Sequence, residues 1–296
     1  MPLRIGTRGS RLAMVQADKV CSLLAGHGIE TEKVIITTRG DTETSVPLHE
    51  IGGQGVFVRA LDDAILSGHI DAAVHSMKDI PAIRPNGLVT GAILERDSPA
   101  DFMAHTANAD QIRVVGTSST RRRAQLLRSD ASLDVRQLRG NVDTRLRKLK
   151  EGYYDAIILA EAGIQRMNLN LPGKRLDPGE FVPSPNQGTI AVVNSDQPGI
   201  VEIIQLLDHA ATRHDVEAER AVMEEVGGGC FTPQGIYCRH GHLIAEILAL
   251  DGSQTVRIRE DIDSLENARK CGRSLRVEGR ELIRDAYRKL GLDDDR

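Results

Sequence analysis

Residues 4–25 read RIGTRGSRLAMVQADKVCSLLA, and this stretch carries the pattern that decides the fold. Arg4–Thr7 predicts a short strand, and Ser10 then offers a hydroxyl cap to a helix that runs to about Ala25. The same alternation continues along the chain. Further strands are predicted over Lys33–Thr38, Ala72–His75, Val114–Val115, Val135–Leu138 and Ala156–Ala160, with helices over Val56–Ser67, Thr120–Arg128 and Val142–Lys150. Such alternation favours α/β domains with largely parallel sheets.

The opening motif has a weak echo about 110 residues later. IGTRGSR at 5–11 is similar to VGTSSTR at 115–121, and DAAV at 71–74 is similar to DAII at 155–158. Two similar α/β domains that face a shared cleft would explain both pairs. Chance would explain matches this short equally well.

The chain changes character near residue 210. Helices are predicted over Ile200–His209 and Asp215–Val226, and a glycine run follows them. Beyond it, two segments that could pair as antiparallel strands precede two helices. Those strands are Leu243–Leu250 and Val256–Ile258, and those helices are Leu265–Lys270 and Glu281–Leu290. This part predicts a smaller α+β domain.

Composition narrows the class of protein. The chain has 296 residues, a net charge of −4, four cysteines and no apolar run of the roughly 20 residues that a membrane span requires. The N-terminus shows no leader pattern, and the cysteines form no C-x-x-C pair. We therefore expect a cytoplasmic protein with free thiols and with no membrane partner. Aromatic residues make up 3% of the chain and Trp is absent, so stacking platforms for nucleic-acid bases are scarce.

A basic stretch lies in the middle of this mildly acidic chain. Its members are Arg113, Arg121, Arg122, Arg123, Arg128, Arg136, Arg139, Arg145, Arg147, Lys148 and Lys150. A solvated helix face would explain such a run, but exposed ion pairs contribute only about 0–1 kcal/mol, so stability hardly requires it. Arg121 and Arg122 also fall in the first turn of a helix, where cations oppose the helix dipole. We therefore favour a site for anions, and several carboxylates on one ligand would suit the arginines.

Two shorter motifs are candidates for chemistry. Residues 74–81 read VHSMKDIP and follow a buried strand, where open α/β sheets place their ligands. Asp79 either takes part in chemistry or caps a turn before the proline. Residues 227–230 read GGGC, so that Cys230 is either a nucleophile on a loop or an incidental thiol. The nine histidines form no metal-binding motif, and we predict no metal site.

Seven segments together resemble porphobilinogen deaminases (hydroxymethylbilane synthases), in the order that the family has them. They are Arg4–Ala17, Gly52–Leu61, Val74–Pro81, Gly116–Leu127, Leu138–Leu149, Tyr154–Arg166 and Gly228–Cys230. The resemblance implies two α/β lobes like those of type II periplasmic binding proteins, followed by a small α+β domain. The implied boundaries are 1–94 with 190–208 for the first lobe, 95–189 for the second and 209–296 for the third domain.

The resemblance also implies the reaction and its cofactor. Four porphobilinogen molecules are condensed head to tail with release of four ammonia, which gives the linear tetrapyrrole hydroxymethylbilane for haem biosynthesis. The cofactor is a dipyrromethane, joined to Cys230 by a thioether. A monomeric enzyme is expected, with porphobilinogen as its partner and with no nucleic acid.

The implied site residues fall into three groups. Asp79 is the catalytic residue, which we expect to stay ionised and to stabilise the cation left when ammonia departs. Cofactor and substrate contacts are implied for Arg8, Ser10, Lys78, Thr117, Ser118, Ser119, Arg121, Arg122, Arg139, Gly140, Asn141, Arg145 and Gln187. A mobile loop over Pro47–Gly55 and the lid beside it are implied to involve Gln54, Phe57 and Arg59. If the strand continues past His75, Lys78 and Asp79 point to opposite faces.

The sequence departs from the family at a few positions. Gln54 stands where a lysine is usual, Arg59 replaces a lysine, and Asn186 replaces a glycine. An acidic residue that the family often has near Val193 or Asn194 is missing. Two other readings stay open, a non-catalytic two-lobed binding protein for a small polycarboxylate and an RNA-binding protein that uses the basic stretch.

Overall fold

The computed structural model describes residues 1–37, 56–81, 84–106, 111–227 and 231–292, without the side chains of Val56 and Phe57. The strands in this part of the chain are β1 Leu3–Thr7, β2 Thr31–Ile35, β3 Ala72–Ser76, β4 Leu88–Ile93, β5 Asp101–His105, β6 Val114–Gly116, β7 Asp134–Arg136, β8 Ala156–Ala160, β9 Gly173–Arg175, β10 Ile190–Ser195, β11 Gln234–Arg239, β12 His242–Leu248 and β13 Thr255–Asp261. Its α-helices are α1 Arg11–Gly26, α2 Val56–Leu66, α3 Thr120–Ser129, α4 Val142–Lys150, α5 Glu161–Arg166, α6 Pro198–Gln205, α7 Ala210–Val226, α8 Leu265–Glu278 and α9 Arg280–Leu290.

These strands form two five-stranded sheets and one three-stranded sheet. The first sheet has the order β2-β1-β3-β10-β4, and the second has the order β7-β6-β8-β5-β9. In each, three neighbouring strands are parallel, but β10 and β5 run antiparallel to both of their neighbours. Four of the five strands in each sheet therefore run in one direction, which agrees with the predicted largely parallel sheets, and β10 and β5 are the reversed strands.

The internal echo is a real structural repeat. In the first sheet Ile5 pairs with Ala72, and in the second Val115 pairs with Ala156, which is the register that the two sequence matches require. Asp71 accepts a hydrogen bond from the Arg4 amide at 2.7 Å, and Asp155 accepts one from the Val114 amide at 2.7 Å. The aspartate of each matched segment thus fastens the start of one strand to the start of its neighbour.

The repeat extends to the glycine after each first strand. A Cβ on Gly6 would lie 2.2 Å from the Ile70 side chain, and a Cβ on Gly116 would lie 2.8 Å from the Tyr154 ring. At both sites a larger residue would have to displace a side chain, which is the tip of the buried Ile70 at Gly6 and the more rigid ring of Tyr154 at Gly116. The helix caps differ by one position, since Ser10 caps α1 whereas Ser119, not Thr120, caps α3.

The chain divides into two compact units. The first contains residues 1–97, 165–168 and 188–213, and the second contains 98–164, 169–187 and 214–296. The core of the first unit forms where α1 and α6 cover one face of the sheet, with Val20, Leu24 and Ile204 against Val74 and Val192. The predicted division into three domains stays a prediction.

Within the second unit, helix α3 is held at both ends by buried carboxylates. Asp101 pairs with Arg121 and Arg122 in the first turn, and Glu246 on β12 accepts a hydrogen bond from Arg128 in the last turn at 2.8 Å. The turn after β12 also meets the helix, because a Cβ on Gly252 would lie 2.4 Å from the Arg128 amide nitrogen. The three-stranded sheet is thus packed directly against the end of the arginine-bearing helix.

Candidate active site

Asp79 lies on a short turn in the first unit. Strand β3 ends at Ser76, and Met77–Asp79 forms one turn of 3-10 helix. Met77 and Ile80 are buried on either side of it, and the Met77 amide donates to the Thr189 carbonyl at 2.9 Å. Asp79 is exposed and Lys78 is half-buried. Lys78 and Asp79 were expected to point to opposite faces only if the strand continued, and it ends at Ser76. Two apolar anchors, Met77 and Ile80, instead hold an exposed carboxylate in place.

His75, four residues before Asp79, has no acid–base role in this structure. Its side chain is buried, and its Nε2 has no hydrogen-bond partner among the described residues. Burial, together with the positive charges of Arg84 and Arg8, lowers the pKa of His75 to about 3. The imidazole is therefore neutral at physiological pH, and Lys78 and Asp79 are the ionisable side chains of this motif that are at least partly exposed.

The loop after β1 supplies two further predicted residues in the same unit. Ser10 caps α1 by accepting a hydrogen bond from the Ala13 amide at 3.4 Å. Arg8 is half-buried and lies close enough to His75 to influence its pKa. Both residues come directly after the carboxyl end of a parallel strand, which is the usual ligand edge of such a sheet.

The second unit carries the hydroxyl residues of the predicted anion site. The Ser118 hydroxyl donates to the Leu138 carbonyl at 2.8 Å, and Ser119 caps α3 by accepting from the Arg122 amide at 3.4 Å. Thr117 is buried, and its hydroxyl accepts from the Ser119 amide at 3.2 Å. These contacts shape the loop and fix the start of the helix that bears the arginines.

Arg121 and Arg122 are buried and share one carboxylate. Arg121 Nη1 lies 2.8 Å from Asp101 Oδ2, and Arg122 Nη2 lies 2.6 Å from Asp101 Oδ1. Burial alone would raise the pKa of Asp101, but the two guanidinium groups more than offset it and hold that pKa below its ordinary range. The sequence offered no counter-ion for these arginines, so Asp101 is a residue that sequence reasoning missed.

Arg145 differs from both of them. It projects from α4, whose cap Asn141 accepts a hydrogen bond from the Thr144 amide at 2.9 Å. Among the described residues, the one hydrogen bond of its side chain runs from Nε to the Gly140 carbonyl at 2.8 Å, and it has no ion pair. Burial and the nearby Arg122 lower the pKa of Arg145 to about 10. Arg145 is therefore a desolvated cation without an ion pair among the described residues.

The loop before β10 explains one departure from the family pattern. Asn186 has φ of 63°, in the left-handed region that glycine adopts freely and that asparagine tolerates better than most residues. Gln187 Nε2 donates to the Pro99 carbonyl at 2.8 Å and to Asp101 Oδ1 at 3.0 Å. Gln187 therefore supports the carboxylate that holds the two arginines.

Other predicted residues are at least partly exposed or fall outside the described chain. Arg139 is half-buried, and Arg59 is exposed on α2. Gln54, Cys230, most of the predicted mobile loop and the Phe57 side chain lie outside the described residues. In the part of the chain that the structure covers, no group of three or more His, Cys, Asp or Glu side chains could hold a metal ion, and no helix is long and apolar enough to span a membrane.

A further cation that the sequence analysis missed lies in the first unit. Arg166 Nε pairs with Asp97 at 2.8 Å, and its Nη2 donates to the Gly188 carbonyl at 2.6 Å. With Lys19 it lines a cavity of about 220 Å³. Because both residues lie far from the basic stretch in sequence, composition gave no signal for this pair.

Comparison with known proteins assigns the family. Residues 3–201 match the family model described as porphobilinogen deaminase, dipyromethane cofactor binding domain, and residues 214–279 match the porphobilinogen deaminase C-terminal domain. The chain belongs to the porphobilinogen deaminase family. It is therefore a transferase of tetrapyrrole synthesis whose N-terminal region binds a dipyrromethane cofactor.

Curated relatives are similar in sequence to nearly the whole of this chain. A probable porphobilinogen deaminase from Methanosarcina acetivorans is 48% identical over 95% of this chain and 94% of its own length. One from Archaeoglobus fulgidus is 41% identical over 94% of this chain and 99% of its own. A periplasmic substrate-binding protein from Coxiella burnetii aligns at 13% identity over 72% of this chain and 94% of that chain, with a TM-score of 0.43. The strand orders given above, rather than this last likeness, establish the α/β fold.

Proposed function

We propose that this member of the family condenses four porphobilinogen molecules into hydroxymethylbilane, with Asp79 as the catalytic residue and Cys230 as the thioether attachment point of the cofactor. The observation that carries the proposal is the guanidinium of Arg145, which has no ion pair among the described residues and lies near the buried Arg122, itself paired with Asp101 next to Arg121. Each pyrrole bears an acetate and a propionate, so both cofactor and substrate are polyanions that such a cluster suits.

The residues of the second unit fit the dipyrromethane by charge. Among the described side chains, Arg121, Arg122 and Arg145 carry three positive charges, and Asp101 offsets one of them. Carboxylates of the cofactor and the substrate would neutralise the remainder, with Arg139, Thr117 and Ser118 around them. When bound, the dipyrromethane supplies the pyrrole carbon to which the first substrate unit is joined.

Asp79 acts on the substrate after its amino group has gone. The aminomethyl group has a pKa near that of lysine, about 10.4, so it is already protonated at neutral pH and departs as ammonia without an acid catalyst. The pyrrole that remains is an electron-poor azafulvenium. A fixed carboxylate can accept a hydrogen bond from its N–H, stabilise the cation and take up the proton lost from the attacked ring carbon.

The remaining predicted residues bind and enclose the substrate. Arg8 and Ser10, which follow β1, and Lys78, which lies in the Asp79 turn, would hold substrate carboxylates, while Arg59, with Gln54 and Phe57, would belong to a lid over the site. We further propose that the enzyme works as a monomer in the cytoplasm, without nucleic-acid or membrane partners.

The experiment that tests this proposal is intact mass measurement of purified protein. We expect the wild type to exceed its sequence mass by one two-pyrrole unit and a Cys230→Ser variant to show its bare mass. Cys21→Ala is the matched control, since it removes another thiol, and it should carry the same added mass as wild type.

Two outcomes would contradict the proposal. Added mass on Cys230→Ser would exclude this anchor. Bare mass in every variant, with no added mass and no ammonia released after incubation with porphobilinogen, would favour a non-catalytic polycarboxylate-binding protein.

A further inference from the structure

Asp101 lies at the edge of the second sheet where the parallel strands end. It is the first residue of β5, which runs antiparallel to β8, and it pairs with Ala160 at the end of β8. Helix α3 begins just after β6, which is parallel to β8 and ends at the same edge. The fold thus brings the Asp101 carboxylate to the first turn of α3, although Asp101 precedes Arg122 by 21 residues in the sequence.

The carboxylate fixes two guanidinium groups at once. Asp101 Oδ1 accepts hydrogen bonds from Arg122 Nε at 3.0 Å and from Arg122 Nη2 at 2.6 Å, while Oδ2 lies 2.8 Å from Arg121 Nη1. Carbonyl oxygens complete the restraint, because Arg121 Nη1 donates to Val182 at 2.8 Å and Arg122 Nη1 donates to Ile158 at 3.0 Å. A guanidinium is planar, so contacts on two of its edges determine the orientation of the N–H groups that remain.

The same carboxylate sets the charge of the cluster. Asp101 is fully buried, and Arg121 and Arg122 are 4% and 7% exposed. With Arg145 included, three positive charges lie at this end of α3 and one carboxylate, Asp101, pairs directly with two of them, while Glu246 attracts Arg121 from the other end of the helix. Buried charges are stabilised by pairing, so the cluster is two negative charges short of balance.

We propose that Asp101 is the positioning residue of this anion site. It holds Arg121 and Arg122 in the orientation in which they bind pyrrole carboxylates. Because it neutralises one of the three positive charges, the cluster keeps an excess positive charge that those carboxylates neutralise. This inference rests on the proposed function and assigns a role to a residue that touches the ligand only through the arginines.

The chain offers a matched control for its test. Glu246 is also fully buried and also bridges two arginines, since its Oε2 accepts from Arg128 Nη1 at 2.8 Å and from Arg257 Nη2 at 2.6 Å. It lies at the opposite end of the same helix. Asp101→Asn and Glu246→Gln therefore each remove one fully buried negative charge that bridges two arginines, the first at the first turn of α3 and the second at its last turn.

Three measurements are made on wild type and both variants: kcat and KM from ammonia release, and the gain in Tm when cofactor-free protein is loaded by incubation with porphobilinogen. We expect Asp101→Asn to lower kcat about 10- to 100-fold, the range seen when a carboxylate that orients ligand-binding groups is removed. KM should change by less than about threefold, because all three cations remain. The gain in Tm on loading should exceed that of wild type, because the uncompensated charge rises from two to three.

A merely structural carboxylate would give a different result. Both variants would then lose Tm alike while keeping the kcat and the loading gain of wild type, and this outcome would overturn the proposal. If Asp101→Asn does not fold, Asp101→Glu replaces it, since that variant keeps the charge but displaces the carboxylate by one methylene. A wild-type kcat in Asp101→Glu would also overturn the proposal, whereas absence of ammonia release from wild type would contradict the proposed function instead.

Discussion

Replacement of Arg145 by methionine should stabilise the cofactor-free protein while it weakens substrate binding. The pKa of Arg145 is lowered to about 10 from an ordinary 12.5. Since one pKa unit corresponds to about 1.4 kcal/mol, the charged form is about 3 kcal/mol less favourable here than in water. Methionine removes this cost and sacrifices the hydrogen bond to Gly140, which contributes about 1 kcal/mol.

For Arg145→Met we expect the free energy of unfolding to rise by about 1–2 kcal/mol. Each kcal/mol corresponds to a rise of roughly 2–4 °C in Tm. The same change removes charge-assisted hydrogen bonds to the substrate, each of about 1.5–3 kcal/mol. Loss of one such bond should raise KM by a factor of about 10 to about 150. Thermal unfolding of protein made in cells that lack porphobilinogen measures the first effect, and ammonia release measures the second.

Arg147→Met is the matched control on the same helix. Arg147 is exposed and pairs with Glu151 at 2.7 Å, an exposed pair that contributes about 0–1 kcal/mol. We expect neither Tm nor KM to change appreciably in this control. A cofactor-free Arg145→Met protein that is less stable than wild type, with an unchanged KM, would refute the reasoning.

Two other predictions concern the β3 turn. Asp79→Asn should lower kcat for ammonia release by about 10²- to 10³-fold with little change in Tm, because the side chain is exposed; near-normal turnover would exclude its assigned role. His75 has a pKa of about 3 in the folded state and about 6.5 when unfolded, so the unfolded chain binds more protons between these values and stability falls as pH falls through that window. His75 should cost wild type about 2 kcal/mol of its free energy of unfolding between pH 8 and pH 5, and His75→Gln should not show this part of the loss. Urea unfolding at the two pH values measures the loss in each protein, and an equal loss in both would contradict this prediction.

The local patterns of the sequence predicted most of the elements but not how they pair. Ser10 and the apolar spacing after it identified α1, and the matched motifs at Gly6 and Gly116 identified a structural repeat. The antiparallel entry of β5 and β10 was missed, because strand direction depends on where the chain returns from and not on the residues within the strand. The apolar residues that make up most of these strands, Phe102–Ala104 and Ile190–Val193, carry no signal of direction.

The candidate site was predictable where its residues lie together in sequence. The arginines of α3 and α4 were found in this way, as was the Asp79 motif. Asp101 was not found, because a lone aspartate at the start of an apolar strand has no local signal of a long-range ion pair. The turn at Met77–Asp79 corresponds to one of the two interpretations given for Asp79, a turn before the proline. Its buried anchors, Met77 and Ile80, are three residues apart, which is the spacing of a helical turn and not of a strand.

Anchoring at both ends of α3 has a consequence for product length. A helix whose first and last turns each pair with a buried carboxylate is held rigidly, because breaking either ion pair would leave a buried carboxylate without its cation. The spacing of its arginines is therefore the same for the first pyrrole added as for the fourth. A helix with fixed arginine positions can bind the growing chain but does not respond to the number of its units. The signal that stops the synthesis at four units therefore has to come from parts of the protein other than this helix.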